Sequence, residues 1–183
     1  MGKLGFYISC GGNVLSRSFF WIGDTKYPKI YTKRIAPIRS AIENGVVPSV
    51  ENEAGVVGLT SRTYMFGAVP FMTRKNEMGN DVSPEEAVDR NTLLKMMTSW
   101  PARFVMKEKE IGTLENGKYA DFLVMNGDLT TAPVEQMASI FPVMTVVGGK
   151  VRVLRKEFAD ELGRPAVGPQ INFDNKARYV DGE

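Results

Sequence analysis

The feature that most constrains this chain is a change of pattern near residue 107. Before it, apolar runs alternate with helically spaced stretches; after it, short strands are separated by two-residue turns. Leu4 to Ser9 is an aliphatic and aromatic run stopped by Gly11-Gly12, which predicts a buried strand. Pro37 to Glu43 carries Ile38, Ala41 and Ile42 at i, i+3 and i+4 and ends at Asn44-Gly45, which predicts a short helix with a left-handed stop. Val46 to Val50 is a second buried strand, so strand, loop, helix and strand form one βαβ step with parallel strands.

Between Glu51 and Asp81 glycines punctuate an irregular stretch, with one helical segment around Arg62 to Met72. A loop of this length implies a covered site. Ser83, Pro84 and Glu86 have the spacing of a capping box, with a helix running on to Met97. Trp100-Pro101 predicts an interruption, and Thr98 or Ser99 would cap a second helix toward Met106. Beyond Lys109 the strand candidates are Ile111 to Leu114, Phe122 to Asn126, Val143 to Val147 and Lys150 to Leu154, the last two joined by a Gly148-Gly149 hairpin turn. The tail from Phe158 to Glu183 is expected to wrap the surface.

The chemistry is limited by a zero: the 183 residues contain no histidine. A Ser-His-Asp triad, a histidine zinc helix and an imidazole general base all need a ring nitrogen, so none can be built. Cys10 is the single cysteine, which excludes an intrachain disulfide and a cysteine-rich zinc site. Twenty-three basic and 21 acidic side chains are interleaved, so no nucleic-acid footprint is expected. No apolar run approaches the roughly 18 residues of a spanning helix, and no signal peptide is evident. The expectation is a cytoplasmic chain without membrane partners.

The segment Thr98, Pro101-Ala102-Arg103, Ile111 to Val124 (IGTLENGKYADFLV) and Val143 to Lys150 (VMTVVGGK) resembles the closing stretch of the amidohydrolase superfamily of metal-dependent hydrolases. The earlier strand Tyr7-Ile8-Ser9 and the approach Pro37-Ile38-Arg39-Ser40 to Asn44-Gly45-Val46 resemble the last two barrel steps of its amidohydrolase family 3 subgroup, which contains N-substituted formamide deformylases. The resemblance implies an α/β fold: the C-terminal part of a TIM-like (β/α)8 barrel (residues 1–107), strands of a small composite β-sandwich (108–156) and a wrapping tail (157–183). A whole barrel with its helices needs roughly 250 residues, so only a portion fits. The resemblance further implies hydrolysis of non-peptide, amide-type C–N bonds in a small-molecule substrate, with a zinc-like divalent metal in the complete enzyme. The family's histidines belong to the first six barrel strands. No metal is therefore expected in this chain alone, which should be inactive and should pair with a missing N-terminal portion or with itself.

Active-site groups of a barrel lie at the carboxyl ends of its strands. Glu51 and Glu53 follow the expected eighth strand, where the family's Asp binds metal and takes a proton from water; they are the candidate catalytic residues. The plainer reading makes both of them solvated loop carboxylates, and Asn52 equally marks a lost ligand. Cys10 follows the expected seventh strand as either a mouth-facing thiol or a small buried hydrophobe. Gly11-Gly12 reads as an anion nest or an ordinary turn. Arg74-Lys75, Tyr64, Phe66 and Phe71 line a pocket or pack, and the methionines are core fill. A second functional class stays open: a stand-alone binding or structural protein derived from the hydrolase fold.

Overall fold

A computed structural model of the chain describes residues 2–12, 15, 35–51, 63–76 and 78–173. Among the described residues it is a mixed α/β structure with two separate sheets. β1 (Tyr7–Gly11) and β2 (Val47–Glu51) pair in parallel, in register from Tyr7 opposite Val47 to Gly11 opposite Glu51. The helix between them, α1 (Ile38–Glu43), buries Ile38 and stops where Gly45 turns to φ +78°, with the Gly45 amide on the Ile42 carbonyl and the Val46 amide on that of Ala41. This is the left-handed stop that Asn44-Gly45 implies.

β1 starts later than the apolar run suggests, because residues 2–4 form a single 3₁₀ turn. Gly11 is a strand residue, and neither Gly11 nor Gly12 has positive φ. A Cβ on Gly12 would run into the backbone carbonyl of Gly67. Close approach of two backbones accounts for this glycine, and both the nest and the turn are set aside.

Beyond the described start of the covering segment come α2 (Tyr64–Ala68) and α3 (Pro70–Thr73). Thr63 caps α2, its hydroxyl accepting from the Phe66 amide. The capping box at Ser83 does not form: Ser83 sits at φ +49° with no side-chain cap bond, and Pro84–Glu86 is one 3₁₀ turn. Glu86 instead turns toward α1, accepting from the Ser40 amide at 2.8 Å and from the Ser40 hydroxyl. Two charge-assisted hydrogen bonds across the fold outweigh a local cap. The helix α4 (Arg90–Met97) starts at Asp89, whose carboxylate accepts from the Thr92 amide at 2.9 Å. The break falls at Thr98 (φ −130°, ψ −87°), and α5 (Ser99–Phe104) takes Trp100 and Pro101 into its first turn, where proline is tolerated. Thr98 donates back to Leu94 rather than capping α5.

Ile111 to Leu114 is not a strand. Gly112 (φ +94°) lies so close to α5 that a Cβ would meet the Ala102 methyl at 2.6 Å, and this contact holds the segment as a bend against the helix. β3 (Phe122–Met125), β4 (Pro142–Val147) and β5 (Lys150–Leu154) form an antiparallel sheet in that order. The β4–β5 turn has both glycines at positive φ, and Asp121 accepts from the Gly148 amide at 2.6 Å, tying the hairpin to the entry of β3. A short α6 (Val134–Met137) lies between β3 and β4. After β5 comes α7 (Lys156–Glu161), a helix that the tail composition does not announce.

The strap that follows returns to β5. Val167 and Leu154 exchange hydrogen bonds of 2.9 and 3.0 Å, Gln170 accepts from the Lys156 amide, and Arg155 donates to the Ile171 carbonyl. The Arg155 guanidinium lies over the rings of both Phe141 and Phe173, 4.8 and 5.4 Å from their centroids.

The main core gathers Leu15, Ile38, Val50, Met65, Ala68, Phe71, Leu93, Met96 and Met137. Methionine acts as fill at Met65, Met96 and Met137, whereas Met78 and Met106 are exposed. Among the described residues no helix is long and apolar enough to cross a membrane.

Candidate functional site

The site predicted from sequence is the carboxyl end of the parallel pair. Glu51 closes β2 opposite Gly11, exposed to solvent. Period-two alternation places Ser9 and Glu51 on the same face, and the Ser9 hydroxyl donates to Glu51 Oε2 at 3.1 Å. The contact is legible only once the register is known, and the sequence reading missed Ser9. Beneath it the Ser49 hydroxyl donates to the Ile8 carbonyl at 3.3 Å, and the Tyr64 phenol donates to the Val50 carbonyl at 2.8 Å. Burial pushes the Tyr64 phenol up to about 12, with the Glu51 charge adding to the shift. Tyr64 therefore stays a donor at neutral pH and pins the backbone one residue before the carboxylate. Glu53 and Asn52 lie outside the described residues.

Cys10 is opposite Val50 in the ladder and packs against the core, on the other face from Ser9 and Glu51. Burial pushes its thiol up to about 11; the Arg74 charge pulls against this and Glu51 adds to it. A neutral, core-facing thiol is not a nucleophile at physiological pH.

Arg74 and Phe71 are packing residues. Both are fully buried. Arg74 ends α3 in the left-handed region (φ +51°), and its guanidinium donates to four carbonyls: Val82 (2.8 Å), Ser83 (3.1 Å), Ala36 (3.0 Å) and Ile35 (2.7 Å). Burial pulls its pKa down from the ordinary value, and the negative charge of Glu86 opposes that. Lys75 instead reaches the surface and pairs with Asp81 at 2.8 Å.

Among the described residues no three His, Cys, Asp or Glu side chains converge as a metal site. Among the described residues the strand ends offer one carboxylate, one hydroxyl already donating to it and a protonated thiol on the opposite face. That donor set does not fit a catalytic metal, which takes about three protein ligands.

The model of the amidohydrolase family matches residues 20–153. The chain is 28% identical over 122 residues to an N-substituted formamide deformylase of Arthrobacter pascens, covering 67% of this chain and 22% of that protein. It is 34% identical over 93 residues to a 5-methylthioadenosine/S-adenosylhomocysteine deaminase of Thermodesulfovibrio yellowstonii, covering 50% of this chain and 20% of that protein. An amidohydrolase structure from Thermotoga maritima aligns over 66% of this chain and 25% of its own length, at 20% identity and a TM-score of 0.44. The chain thus spans about a fifth of the length of the curated relatives it matches. With the family model covering most of its length, the chain belongs to the amidohydrolase family.

Proposed function

We propose that this chain is the C-terminal portion of a hydrolase acting on non-peptide C–N bonds of a small amide-type molecule. The carrying observation is the family match over residues 20–153, with β1 and β2 parallel and Glu51 at their carboxyl ends. The two curated relatives are named as a deformylase and a deaminase, both cleavers of C–N bonds. In this reading β1 and β2 are the last two strands of a (β/α)8 barrel, α4 and α5 supply its last helix, and β3 to β5 are the C-terminal share of a composite sandwich. The division falls at residues 107 and 156, with the tail after it.

Hydrolysis at an amide-type carbon needs an activated water, a proton acceptor and stabilisation of the developing oxyanion. Glu51 supplies the acceptor: its Oε2 is held by Ser9, and no described residue engages its other oxygen, which would take a water. Glu53 is the second candidate by position. The family's divalent metal would take its ligands from outside the described residues, and the chain alone is inactive. Two assays test this: formate release from an N-substituted formamide, and metal content by mass spectrometry. Neither turnover nor stoichiometric zinc is expected from the isolated chain; either one would overturn the proposal. Co-expression with a polypeptide encoded upstream in frame should restore turnover, and Glu51→Gln in that pair should abolish it.

One observation favours a second reading, a stand-alone interaction protein. Leu4, Phe6, Phe104 and Met106 are exposed, and Tyr7 meets Phe104 edge-to-face at 6.4 Å, which leaves apolar surface beside β1. A soluble monomer that unfolds cooperatively would favour this reading over the fragment.

A further inference from the structure

A groove of about 540 Å³ lies between the end of β3, the start of β4 and α7. Met125, Phe141, Val143 and Phe158 give it apolar walls, and Glu157 and Glu161 line it as exposed carboxylates one turn apart on α7. Neither carboxylate has an ion-pair partner among the described residues; the neighbouring Lys156 is paired with Asp160 at 2.8 Å. The strap leads to this groove: Phe173, its last described residue, stacks on Phe141 at 5.1 Å, and Phe141 is part of the wall. Ten residues follow, among them Lys176, Arg178, Tyr179 and Val180.

We propose that residues 174–183 are the occupant of this groove, with Lys176 and Arg178 against Glu157 and Glu161 and with Tyr179, on the opposite face of the extended segment, on the apolar wall. Three features support it. The strap already docks by strand pairing and by the contact of Phe173 with Phe141 and Arg155, so the groove continues an interface that exists. An extended chain gains about 3.3 Å per residue, which carries Arg178 roughly 17 Å beyond Phe173 and well across a groove of this size. Side chains two apart on an extended segment share a face at about 7 Å spacing, close to the 6 Å rise between i and i+4 on a helix, so two basic groups meet two acidic ones in register.

The test is amide NMR on the full chain. Truncation after Phe173 and the surface variant Lys176→Glu/Arg178→Glu should both shift the amides of Asn126, Phe141, Phe158 and Glu161. Adding Glu157→Lys/Glu161→Lys to the tail variant should bring those shifts back toward wild type. Unmoved groove amides, or no rescue by the reciprocal reversal, would overturn the proposal. Shifts that grow with protein concentration over a tenfold range would also overturn it, since the occupant would then be the tail of a second copy.

Discussion

Arg74 holds together three segments that share no sheet, and replacing it tests that directly. In Arg74→Met the aliphatic stem is approximately kept and the fork of donors is lost. Of the four carbonyls it serves, two keep other donors: Ala36 retains the Ile38 amide at 2.8 Å and Ser83 the Glu86 amide at 3.0 Å. Those of Ile35 and Val82 lose the donors seen at 2.7 and 2.8 Å. The buried Val82 acceptor and the half-buried Ile35 one, left without these donors, cost up to about 1–3 kcal/mol each. Glu86 loses the nearby positive charge but keeps its two hydrogen bonds to Ser40, so its share is the smaller one. The sum is about 4 kcal/mol, a large fraction of the stability of an ordinary domain. Arg74→Lys keeps the charge without the planar fork and should fall between wild type and Met. Urea unfolding followed by tryptophan fluorescence measures the difference. A loss below about 1 kcal/mol for Met would refute the reasoning, because the fork would then be replaceable by water.

Cys10 should make stability fall at alkaline pH. The unfolded thiol ionises near 9.0 and the folded one near 11. The folded state thus holds a proton that the unfolded state has lost: the contribution is intact below pH 9 and is lost as pH rises toward 11, on the order of 2 kcal/mol. Cys10→Ala should show a correspondingly flatter profile, and an equal loss in both proteins would count against it. Gly12→Ala should cost about 2–3 kcal/mol, since its Cβ meets the rigid Gly67 carbonyl; Gly148→Ala, with open space around it, should cost only about 1 kcal/mol for its positive φ. Asp128 accepts from the hydroxyls of Thr130 and Thr131, which hold its carboxyl down at about 2. The Thr130 amide, which donates to this carboxylate, should therefore report its protonation as a chemical-shift change centred near pH 2, and a midpoint near the ordinary 3.8 would show that this turn is not formed in solution.

The parts of the fold legible in the sequence are those whose signal is local. Val46 to Val50 reads as a buried strand because neither face is solvated, and Gly148-Gly149 reads as a hairpin because both residues need positive φ. The misreadings share one cause, a distant partner that outcompetes the local pattern. Ser83, Pro84 and Glu86 have the spacing of a cap, yet Glu86 is taken by Ser40, 46 residues away. Ile111 to Leu114 has strand composition, yet Gly112 is held against α5. At the site, the place of Glu51 follows from the end of a strand, while its contact with Ser9 depends on the β1–β2 register, which no single-strand pattern contains.

That same register explains why the described reactive-looking residues near the strand ends do not converge on one point. Alternation sends Cys10 and Val50 to the core whenever Ser9 and Glu51 face outward, so the thiol and the carboxylate cannot act on one substrate atom. Arg74 is occupied by four carbonyls, and the Tyr64 phenol by a fifth. Freeing either of them would leave buried acceptors unpaired, at a cost comparable to what it could contribute to a transition state. Glu51 alone lies at the strand ends with an oxygen that no described residue engages. A carboxylate of that kind accepts a proton only when an electrophile is held beside it. In the proposed reading the groups that hold the electrophile enter from outside the described residues, as they would for a C-terminal barrel step.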